Sequence, residues 1–312
     1  MPSKLKKKFE LLAPAGNFEH MQAAIDSGAD AVYIGLQGFS ARPNAWSFKL
    51  EEIPAAVRFA HESNCRVHIA LNAEFHTNQS DDLAKAVGIF SDCGVDALIV
   101  GDFGLLHYLK KLGNQIPVHA STLLGIYNAQ GIRLLNRKYG VNRVVLNTNL
   151  YIDEIAELHR LCPEIELEMI AHGGICFNDN RRCRQPHYLF EGEFCVGCKQ
   201  LYESFPDTQK LVQLHPISKV ASQVRTPEVA VGGDRLIWSP EIDLSAIVDL
   251  FMRVGVISFK IEGRTRATEY IRQSTRKFRE AIDATLAEEE FFEDELNKYF
   301  YLAHHAQLRS RI

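Results

Sequence analysis

The sequence predicts a (β/α)8, TIM-barrel-like α/β fold with a cysteine-rich insertion between the seventh and eighth strands. Three observations predict it. Eight short apolar runs alternate with amphipathic stretches along 312 residues. Four junctions share one phrase, a helix end at glycine followed by an apolar run: SGADAVYIG, CGVDALIVG, KYGVNRVVLN and RVGVISFKIEG. Glycine adopts the left-handed helix-ending conformation without steric cost, and a continuous apolar run suits a parallel strand covered on both faces. Finally, no G-x-G-x-x-G follows the first apolar run, which weakens the competing doubly wound, dinucleotide-binding sheet.

The elements follow in order. Residues 1–9 form a basic tail; its lysines lack the apolar stretch of a signal peptide. Strands are expected at Glu10–Ala13, Ala31–Ile34, Arg66–Leu71, Ala97–Val100, Pro117–Ala120, Arg143–Leu146 and Glu166–Ala171. Amphipathic helices are expected between them at Phe18–Ser27, Leu50–Glu62, Ser80–Cys93, Phe103–Lys111, Tyr127–Tyr139 and Ile152–Leu161. The spacing then breaks once, over residues 173–255. Within this insertion Ile217–Asp234 reads as irregular or a short hairpin, and Asp243–Val254 as a helix leading to the last strand, Val256–Ile261. Ala267–Glu289 and Phe291–Leu308 read as helices. The barrel with its insertion is thus expected over 10–290, followed by a helical tail, 291–312.

The hydrophobic content of 46% supports a sizeable core, and a net charge of -4 gives no global case for nucleic-acid binding. No run of about 18 apolar residues marks a membrane span. These features favour the cytoplasm, where cysteines serve as thiols or metal ligands rather than disulfides. Cys65, Cys93 and Cys162 read as ordinary buried or half-buried thiols.

In such barrels the chemistry sits at the carboxyl ends of the strands. There the sequence places Gly16 and Asn17, the loop GFSARPNAWSF with Arg42 and Asn44, then Asn72, Asp102, Ser121, Thr122, Asn147, His172, Lys260, Glu262 and Arg264. Each is also an ordinary turn or cap residue type. Their convergence on one mouth argues for a site.

Four of the seven cysteines, Cys176, Cys183, Cys195 and Cys198, share the segment HGGICFNDNRRCRQPHYLFEGEFCVGCKQ, spaced C-x6-C-x11-C-x2-C. Four thiolates hold either tetrahedral zinc or an iron–sulfur cluster. Structural zinc sites usually combine two close pairs, and only Cys195 and Cys198 form one, so the spacing leans to a cluster and leaves zinc, or no metal at all, open. Arg181, Arg182 and Arg184 offset thiolate charge, bind an anionic substrate, or form a solvated basic loop. A metal-dependent or serine hydrolase is disfavoured: there is no H-E-x-x-H or G-x-S-x-G, and four thiolates leave zinc no open position for water.

The stretches ELLAPAGNFEHMQAAIDSGADAVYIG, FSARPNAWSF, HASTLLGIYN, RVVLN, HGGICFNDNRRC and SFKIEGRTRATEYI are spread along the chain. Through them the chain, from Glu10 to Leu286, resembles the collagenase-like peptidase U32 family. The resemblance implies a 4Fe-4S cluster held by four cysteines and an oxygen-independent hydroxylation, of ubiquinone precursors or of bases in transfer and ribosomal RNA, with prephenate as oxygen donor. Cys176, Cys183 and Cys195 match the family's first three ligand positions. The fourth departs: the downstream stretch TPEVAVGGDRLIWSPEID holds no cysteine, and Cys198 takes its place. RNA-modifying members carry a further C-terminal domain, so the short form resembles the ubiquinone-pathway members more, with RNA the less favoured substrate. Paired members imply a homologous partner subunit, which leaves a non-catalytic, cluster-bearing subunit as an alternative.

The expected roles are therefore these. Arg42, Asn72, Ser121, Asn147, Arg182, Lys260 and Arg264 bind a small anionic substrate such as prephenate, guanidinium groups matching carboxylates in geometry. His172, whose ordinary pKa lies near neutrality, is a proton donor or acceptor, or a structural histidine. Glu262 is a general base, or the partner that pins Lys260 or Arg264.

Overall fold

A computed structural model describes residues 9–41, 45–174, 202–204, 228–231, 234–237 and 241–287. Strand and helix alternate as β1 (Glu10–Ala15), α1 (Phe18–Asp26), β2 (Ala31–Gly35), α2 (Ile53–His61), β3 (Arg66–Leu71), α3 (Ser80–Cys93), β4 (Ala97–Val100) and α4 (Phe103–Lys111). They continue as β5 (Val118–Ala120), α5 (Ala129–Tyr139), β6 (Val141–Val145), α6 (Ile152–Leu161) and β7 (Glu166–Gly174). The insertion ends in α7 (Val248–Arg253), and β12 (Val256–Ile261) and α8 (Thr268–Ala287) follow it.

Strands β1 to β7 pair in parallel, each with the next. The last strand, β12, closes the ring. It pairs in parallel with β7 through Val256 and Leu167, and with β1 through Ser258 and Glu10. The expected eight-stranded parallel barrel is the observed fold. Strand bounds agree with expectation to within a few residues because each run is bounded by a glycine or a polar turn.

The helices form because their apolar residues recur on one face. In α3, Leu83, Ala86, Val87 and Phe90 are buried at helical spacing, and Gly94 caps the end at φ 81°. Gly140 ends α5 in the same way at φ 70°. The main core lies between barrel and helices: Leu11, Ile34, Ile69, Leu98, Val144, Leu167 and Phe259 on strands meet Met21, Leu83, Phe90, Ile132, Ile155 and Phe278 on helices. Burying one such Leu or Phe contributes roughly 1.5–3 kcal/mol.

Three further strands, β8 (Tyr202–Ser204), β9 (Glu228–Val231) and β10 (Asp234–Ile237), make a small antiparallel sheet in the order β8-β10-β9. The hairpin of β9 and β10 overlaps the end of the segment expected to be irregular or a hairpin. The last strand of the insertion, β11 (Glu241–Asp243), lies antiparallel on the end of β7, with Glu241 opposite Gly174 and Asp243 opposite His172. This corrects the helix expected from Asp243. Its backbone is spent on the sheet and its side chain accepts from the amide and hydroxyl of Ser245, so only Val248–Arg253 is α-helical. The N-terminal tail, the greater part of the cysteine-rich insertion and the C-terminal tail lie outside the described residues.

Candidate functional site

The barrel interior is unusually polar. Side chains alternate along a strand, so the residues that miss the helix layer face the axis. Glu10, His68, His119, Arg143, Glu168 and Ser258 are all buried there. Arg143 binds Glu10, reaches Glu168 at 3.2 Å, and pairs with Glu166 at the rim at 2.8 Å. Ser258 Oγ donates to Glu10 at 2.8 Å and lies 3.2 Å from Glu168. Arg66 adds a second cation to Glu10 at 2.6 Å. Burial alone would raise the Glu10 carboxyl, but His68 when protonated, with Arg143 and Arg66, overrules it and holds the pKa at about 2. The His68 and His119 rings meet edge to face at 4.9 Å, and burial lowers both below the ordinary imidazole value, His119 strongly.

Towards the carboxyl end this network reaches Lys260. Its Nζ lies 3.4 Å from Glu168 Oε1 and 4.3 Å from the centre of the Tyr33 ring. Burial pushes the ammonium below its ordinary pKa, while Glu168 pulls it back up. Arg264 is buried and shares the same ring, its Cζ 5.7 Å from the centre. Its Nη2 donates to Ser40 Oγ at 2.7 Å. Two cations thus approach one aromatic ring at the carboxyl end of the barrel, where such folds place their chemistry.

The other predicted residues sit at the same end with distinct tasks. Asn72 Oδ1 accepts from the amide of Ala41, which ties down the loop after β2. Ser121 caps a short turn by accepting from Leu123 at 3.3 Å. Asn147 is buried; its Oδ1 accepts from Asn149, while its Nδ2 donor has no hydrogen-bond partner among the described residues. Glu262 packs on Gly173 and accepts from the Gly174 amide at 3.3 Å, where the insertion begins. The carboxylate that meets Lys260 at 3.4 Å is Glu168.

His172 faces the other way. A register shift between β7 and β12 pairs it with Ile261, which points into the helix layer. Its ring stacks on Tyr270 at 5.4 Å and lies 5.7 Å from Phe278. The structure therefore groups it with α8 rather than with Lys260 and Arg264. Arg42 and Arg182 lie outside the described residues.

Sequence reasoning missed Tyr33, Glu168 and Arg143. The signal was present: strands such as RVHIAL and ELEMIA carry charged residues at alternate positions, where strands covered on both faces should be apolar throughout.

The four clustered cysteines also lie outside the described residues. Among the described residues no three His, Cys, Asp or Glu side chains gather into a metal site. Cys65, Cys93 and Cys162 stand apart from any such group; burial raises all three thiols, Cys65 to about 12, so they remain protonated. The segment that carries the four clustered cysteines leaves β7 at Gly174, whose amide donates to Glu262, and rejoins the sheet at Glu241.

Comparison with known proteins agrees with this architecture. A protease of Methanocaldococcus jannaschii, described as uncharacterized, is 30% identical over 300 residues, 93% of this chain and 70% of its own length. The tRNA hydroxylation protein P1 of Bacillus subtilis is 29% identical over 294 residues, 92% of this chain and 66% of that protein. A 23S rRNA 5-hydroxycytidine synthase of Escherichia coli is 29% identical over 286 residues, 90% of this chain and 40% of that protein. The chain thus spans between about two fifths and seven tenths of the length of these relatives. The solved structure of the U32 peptidase Mk0906 superposes with a TM-score of 0.51 at 12% identity, covering 82% of this chain and 93% of that one, and so shares the fold. The profile of peptidase family U32 matches residues 16–310, and the chain belongs to that family.

Proposed function

We propose that this protein takes part in an oxygen-independent hydroxylation of a planar ring, with a base in RNA as the first substrate class to test. The observation that carries the reading is the anion seat of Lys260 and Arg264 on Tyr33, at the mouth where the cysteine segment leaves and returns. Relatives named for tRNA hydroxylation and 5-hydroxycytidine synthesis supply the reaction class.

In this reading Cys176, Cys183, Cys195 and Cys198 are the ligands of a 4Fe-4S cluster, with zinc as the alternative metal. A bound cluster with four cysteine ligands would supply electron transfer. The chain's own side chains do the positioning. Lys260 and Arg264 hold the carboxylates of an anionic oxygen donor, for which prephenate is the candidate, and the Tyr33 ring sets their spacing. Asn147 offers an amide donor to the ring substrate. The closed barrel below excludes water from the far side.

The test is anaerobic purification followed by iron and sulfide counts and a visible spectrum. A colourless protein with one zinc overturns the cluster. Anaerobic incubation of the brown protein with unmodified RNA and prephenate, read by nucleoside mass analysis, should show a nucleoside gaining one oxygen. A hydroxylated ubiquinone precursor with unchanged RNA would move the substrate to the ubiquinone pathway. Cleavage of gelatin with neither product would favour the peptidase reading that the Methanocaldococcus relative's name suggests.

A further inference from the structure

The buried carboxylate between the base of the barrel and its mouth is Glu168. It is fully buried on β7. Its two oxygens face different partners. Oε2 lies 3.2 Å from both Arg143 Nη1 and Ser258 Oγ, while Oε1 lies 3.4 Å from Lys260 Nζ. Arg143 is itself fixed by Glu10 and Glu166, so the guanidinium that grips Glu168 cannot swing away. A lysine side chain on a barrel strand has four rotatable bonds and tends to extend its head group to water. Here the head group is retained inside, over Tyr33.

We propose that Glu168 is the positioning residue of the anion seat: it fixes where the Lys260 ammonium stands and keeps it charged inside the barrel, ready for an incoming carboxylate. The inference rests on reading Lys260 as an anion-binding group. The charges that bear on Lys260 come from four neighbouring segments. Glu168 on β7 favours the ammonium; Arg143 on β6 and Arg264 after β12 disfavour it. His119 on β5 also feels its charge and is neutral near pH 7. Glu168 is the anion that balances this set. A carboxylate serving only as counter-ion to Arg143 would leave Lys260 indifferent to its loss.

The experiment is competitive acetylation of the full-length protein across a pH series, with each lysine followed by peptide mass analysis, in wild type and Glu168→Gln. The titration midpoint of Lys260 should fall by about one pH unit or more, equivalent to a tenfold change in its proton affinity. The exposed Lys85 should keep its midpoint and serves as reference. An unchanged Lys260 midpoint in folded Glu168→Gln protein overturns the proposal. If that variant does not fold, Glu168→Asp decides by the same reading: it keeps the charge but withdraws the carboxylate by one methylene, and a midpoint equal to wild type refutes positioning. In an active preparation, Glu168→Gln should raise KM for the donor more than it lowers kcat. A shifted Lys260 midpoint in protein that yields no hydroxylated product would leave the positioning role standing and remove only the hydroxylation reading.

Discussion

Arg264 occupies the space where Gly35 would carry a side chain. A Cβ built on Gly35 falls 1.9 Å from Arg264 Nη1 and 2.8 Å from Ser47 Oγ. The glycine ending β2 therefore leaves the room that the Arg264 guanidinium occupies. Gly35→Ala should displace Arg264 and destabilise the fold by about 1–3 kcal/mol, the usual cost of overpacking. A denaturant titration gives the loss of stability. Binding of the prephenate probe, followed by calorimetry, should weaken by more than that loss explains.

Removing Arg143 should be costly. It would leave Glu10 and Glu168 buried without their shared cation. Breaking such a pair from one side typically costs about 3–5 kcal/mol. Arg143→Met should lower the urea midpoint accordingly, and replacing Glu10 and Glu168 by Gln in the same chain should recover part of the loss. No recovery would mean that Arg143 acts by shape alone.

Stability should fall with acid in two windows. His68 and His119 have folded pKa values below the ordinary 6.5, so the unfolded chain binds more protons just below that pH, and stability declines as pH falls through it. Glu10 adds a second decline. Its folded pKa of about 2 lies below the ordinary 4.5, so its contribution is complete above pH 4.5 and disappears as pH falls towards 2. That contribution is on the order of 3 kcal/mol. Urea unfolding at a series of pH values checks both; His119→Gln should flatten the first window and leave the second.

The cysteines should divide into two classes. Cys65→Ala and Cys162→Ala should destabilise modestly and leave the iron content unchanged, because both thiols are buried and protonated. Cys176→Ala and Cys198→Ala should each abolish the visible spectrum. Iron retained in full by Cys198→Ala would assign the fourth ligand elsewhere.

The barrel was legible in the sequence because its punctuation is local. SGADAVYIG announces a helix end, a left-handed glycine and a buried strand within nine residues, and the chain does just that at Gly28 and Ala31–Gly35. The outward faces were legible for the same reason. The inward faces were not. Glu10, Arg143 and Glu168 look like surface residues of half-exposed strands until the ring closes and brings them together. Lys260 and Arg264 were marked as site residues from their place after the last strand, but their partners came from β7 and β2, more than ninety residues away in sequence. His172 illustrates the opposite error. Period-two alternation would aim it at the mouth, and one register shift against β12 turns it to the helix layer.

The pairing of Glu241 with Gly174 has a consequence for how this chain can change. Everything between those two residues departs and comes home at a single rung of the ladder. The rung is hydrogen-bonded whatever is strung beyond it, so the ring of strands does not feel the length of the excursion. Such a junction behaves like a socket. Exchange or a change of length in the segment should therefore leave the closure of the barrel intact. Grafting the 175–240 segment of one relative onto the barrel of another should give folded chimaeras, and their metal content and substrate preference should follow the grafted piece.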